Sequence, residues 1–521
     1  MTRINSNVAS LIAQGNLRRT TDGLNDTLSR LSTGLRIVRG ADDPAGLIVS
    51  ERIRSELRGI EQGIRNSERA SSVIATSEGS LAEVSELLNS IKALVIEAAN
   101  TGAFSKEEIA ANQLQIDSAI ESITRISNTA SFGGLKLLNG ELAYSMSSIN
   151  QSDIRTASVF GAKFGGRSEV QVDVEVLGSA QTAQLFLRTD FNRFGGGFAD
   201  GVLASTVTIE IAGPAGITEL TFVSGTTNAQ IISAINQRAS ITGIRATSAP
   251  PADGGVPGTA ASGMVFYSEA YGSEAFVSVK KLSGGEQFVT GKIANNGPGP
   301  IDWVSGSPTA QQADRDTGKD VVVLLNGAVA VGRGLQVTNR SPELDVSLLL
   351  DSAFATEVGQ ASTFFIVGGG SLFQLGPQVT PNQQVDIGIN SIAATRLGAS
   401  LNTLTDGTQV VEFLSSLKSG GTNDLLGGNL ANASRVLESA IEEVSILRGR
   451  LGAFERNTLD TNVRSLQASL ENLTASESVI RDADFAFETS ELSRQQVLQS
   501  AGTTVLAVAN ANAQSVLQLL G

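Results

Sequence analysis

The stretch QQVLQSAGTTVLAVANANAQSVLQLLG, residues 495–521, contains no charged residue and no aromatic. Within it Leu498, Ala501, Val505, Val508, Asn512, Ser515 and Leu519 recur at alternating spacings of three and four, the period of one helix face. A helix exposed to water normally carries charge on its outer face. Here the remaining faces are Ala, Asn, Gln, Ser and Thr, which other helices can cover without burying an ion. The stripe is too regular for a polar tail, so the segment reads as a helix made to be enclosed in an assembly. The opposite end of the chain agrees, because residues 4–17 (INSNVASLIAQGNL) also carry no charge.

Working inward, both ends are helical and the middle is not. Leu17, Leu24, Leu28, Leu31 and Leu35 form a heptad-like stripe near the N-terminus. Residues 40–46 (GADDPAG) break that helix and offer Asp42 or Asp43 as an N-cap. Helical spacing resumes over about 47–99 with Ile53, Leu57, Ile60 and Ile64, and over about 105–128 with Ile109, Ile116, Ile120 and Ile123. From about residue 425 onward Leu437, Ile441, Val444, Leu451 and Phe454 form one stripe, and Leu466, Leu470 and Leu473 another. Between them, Val170, Val172, Val174 and Val176 alternate strictly, as do Val207, Ile209 and Ile211, the pattern of half-buried strands. Pro250-Pro251 and Gly368-Gly369-Gly370 punctuate this region, and NAQIISAINQR (228–238) predicts one short helix. The fold class expected is α+β and multidomain. The N- and C-terminal helices pair as a coiled-coil stem, and a β-rich central insertion sits at its tip.

Composition narrows the function. The chain has 521 residues with no Cys and no His. That removes disulfides, thiolate chemistry, His-based triads and H-E-x-x-H zinc sites. A net charge of -14 and no Lys/Arg run beyond pairs such as Arg18-Arg19 and Lys280-Lys281 argue against nucleic acid. No run approaches the ~18 apolar residues of a membrane span, so no membrane insertion is expected. The N-terminus also lacks the features of a signal peptide. No catalytic residue, cofactor or metal is expected. The series Asp314, Asp316, Gly318 and Asp320 resembles the opening of a calcium loop but has no Glu at its twelfth position, and a turn accounts for it better. Capping likewise explains Asp42, Asp43, Asp482 and Asp484 better than paired-carboxylate chemistry does. Asn25-x-Thr27 and Asn472-x-Thr474 match a glycosylation sequon but lie on helical stripes.

Several blocks resemble one family. RLSTGLRIVRGADDPAG (30–46), EGSLAEVSELLNSIKALVIEAAN (78–100) and SFGGLKLLNG (131–140) are similar to the N-terminal part of bacterial flagellins, and SVIRDADFAFETSELSRQQVLQSAGTTVLAVANANAQSVLQLL (478–520) to their C-terminus. Residues 207–282 and KDVVVLLNG (319–327) resemble insert repeats in the central regions of some flagellins, and FQLGPQ (373–378) with DIGIN (386–390) is similar to segments of such flagellins. The resemblance implies a subunit that self-assembles into the flagellar filament, not an enzyme. It implies an inner layer from residues 1–46 and 474–521, a rod from 47–140 and 425–473, and outer domains within 141–424. The assembly stripe would be Leu24, Leu28, Leu31, Leu35, Leu498, Val505, Val508 and Leu519. Partners implied are other flagellin subunits, hook-associated and cap proteins, and an export chaperone binding within about 478–521. Export through a type III apparatus would place the protein outside the cell. NSIKALVIE (89–97) aligns with the patch read by the innate Toll-like receptor for flagellin. There Leu94 is kept, while Ser90 stands where the family pattern has Arg and Gln115 where it has Glu, which removes two charged contacts. A hook–filament junction protein is the alternative. An enzyme on a flagellin frame, of the metalloprotease-insert kind, would need His ligands that this chain lacks.

Overall fold

A computed structural model describes residues 7–520, apart from 101, 103, 188–197, 200, 201, 204, 249–263, 285–287, 294–309, 342, 404–408, 428 and 429. The chain divides into two compact units. The first comprises Met1–Ser71, Phe373–Val385 and Phe454–Gly521, and the second Ser72–Leu372 and Asp386–Ala453. Pro250-Pro251 fall outside the described residues.

In the first unit, helix α1 (Val8–Thr33) starts where the Asn7 side chain accepts from the Ser10 amide at 3.0 Å. It ends because Gly34 turns left-handed, with φ 72°, and its N–H closes on the Arg30 carbonyl at 2.8 Å. Leu35 therefore lies beyond the helix, in an isolated β-bridge with Asp482, and not on the helical stripe expected of it. Between this helix and α2 (Pro44–Ala98) the two aspartates divide the work. The Asp42 carboxylate accepts from the amides of Val38 and Arg39 at 3.0 and 2.7 Å, while Asp43 accepts from Gly46 at 2.9 Å and caps α2.

The opening part of α2, up to Ser71, runs antiparallel to α6 (Asp460–Arg481). Glu51 meets Arg481 at 3.1 Å, Arg54 meets Glu477 at 3.7 Å, and the Ser67 hydroxyl accepts from Asn462 at 3.1 Å. Residues 373–385 lie on this pair. The Asn66 and Asn462 side chains donate to the carbonyls of Gln374 and Leu375 at 3.1 and 3.0 Å. A π-helical turn, Glu455–Leu459, precedes α6, and the Ser71 hydroxyl donates to Glu455.

In the second unit, the remainder of α2 buries Ile74, Ser77, Leu81, Val84, Leu88, Ile91, Val95 and Ala98, spaced three and four apart. Helix α3 (Lys106–Thr129), capped by a reciprocal Ser105–Glu108 box, buries Ile109, Ile116, Ile120 and Ile123. Helix α5 (Leu430–Phe454) buries Leu437, Val444 and Leu451. Lys92 of α2 meets Glu438 of α5 at 3.4 Å. Gln113 is buried in α3 and ties down the segment before α5, donating to the Leu417 carbonyl and accepting from the Leu425 amide, both at 2.8 Å.

The β-rich part of this unit has two cores. An eight-stranded antiparallel sheet runs Tyr144–Ser147, Ala361–Gly369, Val170–Gly178, Val322–Leu325, Ala328–Arg333, Gln336–Arg340, Leu344–Leu350, Ile154–Ala162. Val172, Val174 and Val176 point into its core with Phe364, Val346 and Leu348, as the alternation predicts. A four-stranded and a five-stranded sheet enclose the second core, where Val207, Ile209 and Ile211 meet Phe266 and Leu185. Helix α4 (Asn228–Asn236), the short helix expected at 228–238, closes that core with Ile231 and Ile235.

Helix α5 also faces the eight-stranded sheet. The Arg450 guanidinium lies 3.5 Å from the Phe160 ring centroid and reaches Asp345 at 3.0 Å. Beside it, a cavity of about 120 Å³ is lined by Ser158, Ser347, Arg340 and Glu443 among others. The Gly398 amide donates to the Glu443 carboxyl at 3.0 Å. Burial pushes the Glu443 pKa up to about 7, against the lowering effect of that hydrogen bond.

Candidate assembly surface

Helix α7 (Phe485–Leu520) lies antiparallel to α1 within the first unit. It starts where Asp484 accepts from the amides of Ala486 and Phe487 at 2.9 and 3.1 Å. The residues that α7 turns toward α1 are Glu488, Leu492, Gln495, Gln499, Gly502, Leu506 and Ala509, all buried or half-buried and spaced three and four apart. Those on α1 are Ser10, Ala13, Leu17, Leu24, Thr27 and Leu31. Small residues permit the approach. A Cβ on Gly502 would sit 3.3 Å from Leu17, and one on Gly23 3.2 Å from Gln495. Arg30 meets Glu488 at 3.4 Å, and the Asn7 side chain donates to the Ala509 carbonyl at 3.0 Å.

This seam is not the apolar stripe read from the sequence. Leu24 and Leu31 lie on it, but Leu28, Leu498, Val505 and Val508 point to solvent, with Val505 57% and Val508 55% exposed. Leu519 lies in the last turn of α7, where the side chains are outside the described residues. Val8, Leu11, Ile12 and Val497 are exposed as well. The pair therefore presents an outer face that is apolar, uncharged along 495–514, and without a partner among the described residues. The seam residues were missed because four of the seven on α7 are polar or glycine, and apolar periodicity does not see them. The spacing itself, with Arg30 and Glu488 of opposite charge, was the available signal.

Ser90 and Leu94 lie on α2 and Gln115 on α3, with Ser90 and Gln115 exposed and Leu94 half-buried. Residues 314–320 hold a short strand, Arg315–Thr317, and Asp316 and Asp320 serve the backbone. Asp316 accepts from the Gln184 amide at 2.9 Å, and Asp320 from the amides of Gly334 and Ser273 at 2.7 and 3.0 Å. Thr27 of the first sequon is buried in the helix seam. Among the described residues no group of three or more potential metal ligands occurs, and no helix is long and apolar enough to cross a membrane.

Terminal helices that leave an apolar face open, uncharged along 495–514, point to a structural, polymer-forming chain. Comparison with known proteins gives the family. The model of the bacterial flagellin N-terminal helical region matches residues 4–143, and that of the C-terminal helical region matches 435–520. A flagellin of Salmonella rubislaw is 27% identical over 99% of both chains, and a B-type flagellin of Pseudomonas aeruginosa 26% identical over 99% of both. Polar flagellin F of Vibrio parahaemolyticus is 36% identical over 32% of this chain and 46% of its own. Among solved structures, the D1-D2-D3 domains of the flagellar cap protein FliD from Escherichia coli are 14% identical and superpose loosely, with a TM-score of 0.28 over 66% of this chain and 97% of that one. The chain belongs to the bacterial flagellins. It is a structural subunit of the flagellar filament, and the full-length relatives do not favour the junction-protein alternative.

Proposed function

We propose that this filament subunit polymerises through the faces of α1 and α7 that their own pairing leaves open. The observation that carries the reading is the exposure of Leu498, Val505 and Val508 along 495–514, a stretch without charge, and of Val8, Leu11 and Ile12 in the charge-free start of α1, with Leu28 further along it. Contiguous exposed apolar surface of this kind marks an interaction site. Neighbouring subunits can cover it without stranding an ion. Residues 1–46 and 474–521 then make the inner layer, 47–140 and 425–473 the rod, and 141–424 holds the outer domains. The subunit meets other flagellin subunits along the filament and hook-associated and cap proteins at its ends. It works outside the cell after type III export, its role is mechanical and not catalytic, and a chaperone covers 478–521 before export. Recognition by the innate receptor through Ser90, Leu94 and Gln115 is weak.

The test is polymerisation of Val505→Glu and Val508→Glu. Each change introduces a charge where a neighbour would bury it, so each should block filament growth while the soluble subunit keeps its thermal unfolding profile. Growth at the wild-type rate by both variants would overturn the reading.

A further inference from the structure

The seam between α1 and α7 is weakly specific. Its residues are mostly Ser, Ala, Thr, Gln, Gly and Leu, and the 3-4 spacing repeats, so shape alone allows α7 to slip by a heptad. A slip of that size displaces it by about 10 Å along α1. Two features oppose this at the end where α1 finishes and α7 begins. The first is a backbone clasp. The Ala483 amide donates to the Gly34 carbonyl at 2.9 Å, and the Arg36 amide to the Arg481 carbonyl at 2.7 Å. The second is Arg30 with Glu488. Glu488 is 3% exposed, and its Oε2 has no hydrogen-bond partner, so the carboxylate depends on the one contact from Arg30 to its Oε1. Breaking a buried pair by removing one partner costs far more than the intact pair contributes, because a charge is left stranded. A buried polar group in a helix seam can therefore select one register among several of similar shape. Other charges near this end are engaged elsewhere: Asp26 with Arg39, Glu491 with Arg494, Arg481 with Glu51, and the Arg36 guanidinium with the Ile480 carbonyl.

We propose that Arg30 and Glu488, with the backbone clasp beside them, are a positioning pair that sets the register of α1 against α7, and so fixes how Leu498, Val505 and Val508 line up along the axis with the exposed apolar residues of α1. The proposal rests on the assembly reading above. In the right register Gly502 faces Leu17 and Gly23 faces Gln495, while a slipped register brings Gln495 or Ala509 to Leu17. Slippage would re-phase Leu498, Val505 and Val508 along the helix axis against the stripe of α1.

Two measurements on the full chain test this. The first is elongation from fragmented wild-type filaments, followed by light scattering. Glu488→Gln should slow elongation by about tenfold, Glu488→Arg and Arg30→Glu should each slow it further, and the double swap Arg30→Glu with Glu488→Arg should restore most of the rate. The second reads register directly, because the chain has no native cysteine. With Leu17→Cys and Gly502→Cys, oxidised wild-type filaments should give the 17–502 crosslink. With Leu17→Cys and Ala509→Cys the crosslink should appear only in the Glu488→Gln background. Should Glu488→Arg fail to fold, the Gln variant and its crosslinks decide alone. Wild-type elongation by Glu488→Gln, absence of the 17–509 crosslink in that background, or a double swap no better than its single variants would overturn the pair. A chain lacking residues 1–33 separates the two readings. If it elongates normally, the assembly reading itself fails. If it does not elongate while Glu488→Gln grows like wild type, only the positioning pair fails.

Discussion

Gly63 of α2 lies so close to Leu375 that a Cβ added to it would come within 2.8 Å of the Leu375 carbonyl oxygen. The same atom would be 3.1 Å from Leu466 of α6. The glycine is thus the gap through which residues 373–385 reach the helix. Gly59 does the same one turn earlier, where a Cβ would sit 2.8 Å from Pro377. The expectation for Gly63→Ala follows from two opposed effects. Alanine favours the helix by up to about 1 kcal/mol, but forcing a methyl into a packed contact costs about 1–3 kcal/mol. The variant should lose stability. Gly79→Ala, on the same helix with nothing within 4 Å of its added Cβ, should gain it. Calorimetry of the two variants checks the signs, and stabilisation by both would mean that 373–385 does not pack as closely as described.

Glu443 gives a pH dependence. Its folded pKa, about 7, is above the ordinary 4.5. The folded protein therefore holds a proton that the unfolded chain has already released between those values. Stability contributed at this position falls as pH rises from about 4.5 to 7 and is flat above. The other charged groups lining the cavity are Arg340, Arg450 and Glu442, and Arg450 is already engaged with Asp345. Glu443→Gln should leave the unfolding temperature near that of wild type at pH 4.5 and raise it at pH 8. Equal shifts at both pH values would show that the carboxyl stays ionised in the fold.

The receptor patch offers a gain-of-function test. Ser90 and Gln115 are exposed and neutral, and on the reading proposed above they stand where a recognised flagellin would carry charge. Arginine supplies several charge-assisted hydrogen bonds that serine cannot. Ser90→Arg combined with Gln115→Glu should raise signalling through the Toll-like receptor for flagellin by about tenfold, roughly one such bond's contribution. Strong signalling by the unmodified protein would show that the two neutral residues do not limit recognition.

Capping is the simplest case. Asp484 satisfies two amides at the first turn of α7. Asp484→Ala should cost about 1 kcal/mol of helix stability and make the start of α7 more accessible to protease. Asp482→Ala should not expose it in that way, since its carboxylate accepts from Ser478 at 2.6 Å and caps nothing in α7.

Local periodicity made the helices and strands readable. Ile109, Ile116, Ile120 and Ile123 are buried as their spacing predicts, and Val172, Val174 and Val176 fill a sheet core because alternation admits no other face. Leu35 shows where that reading stops. It continues the leucine spacing, but Gly34 one residue earlier takes a left-handed conformation and ends the helix. The candidate assembly surface was half legible. The sequence located the apolar stripe of α7 but not the seam beside it, because Gln495, Gln499 and Gly502 pair by size and not by apolarity. Nor could FQLGPQ reveal that it rests on α2 and α6. That placement depends on Gly59, Gly63, Asn66 and Asn462, which are remote from it in sequence and carry no apolar signal, although the first three share a helix face.

The Asn7–Ala509 hydrogen bond joins residues 502 positions apart. Closing a flexible loop of that length from the unfolded chain costs on the order of 5–6 kcal/mol of entropy. Two-helix packing of the kind seen here has little surplus to set against it. Once the intervening chain has folded and the Gly34–Ala483 bond has formed, the open span shrinks to the residues between that clasp and the tip of the helix pair. The two ends can then close like a zip from the clasp outward, each turn restrained by the one before. Contacts of such high sequence separation form slowly. The first and last helices of this chain should accordingly be the final elements to order, at a time when the rest of the subunit already has its shape.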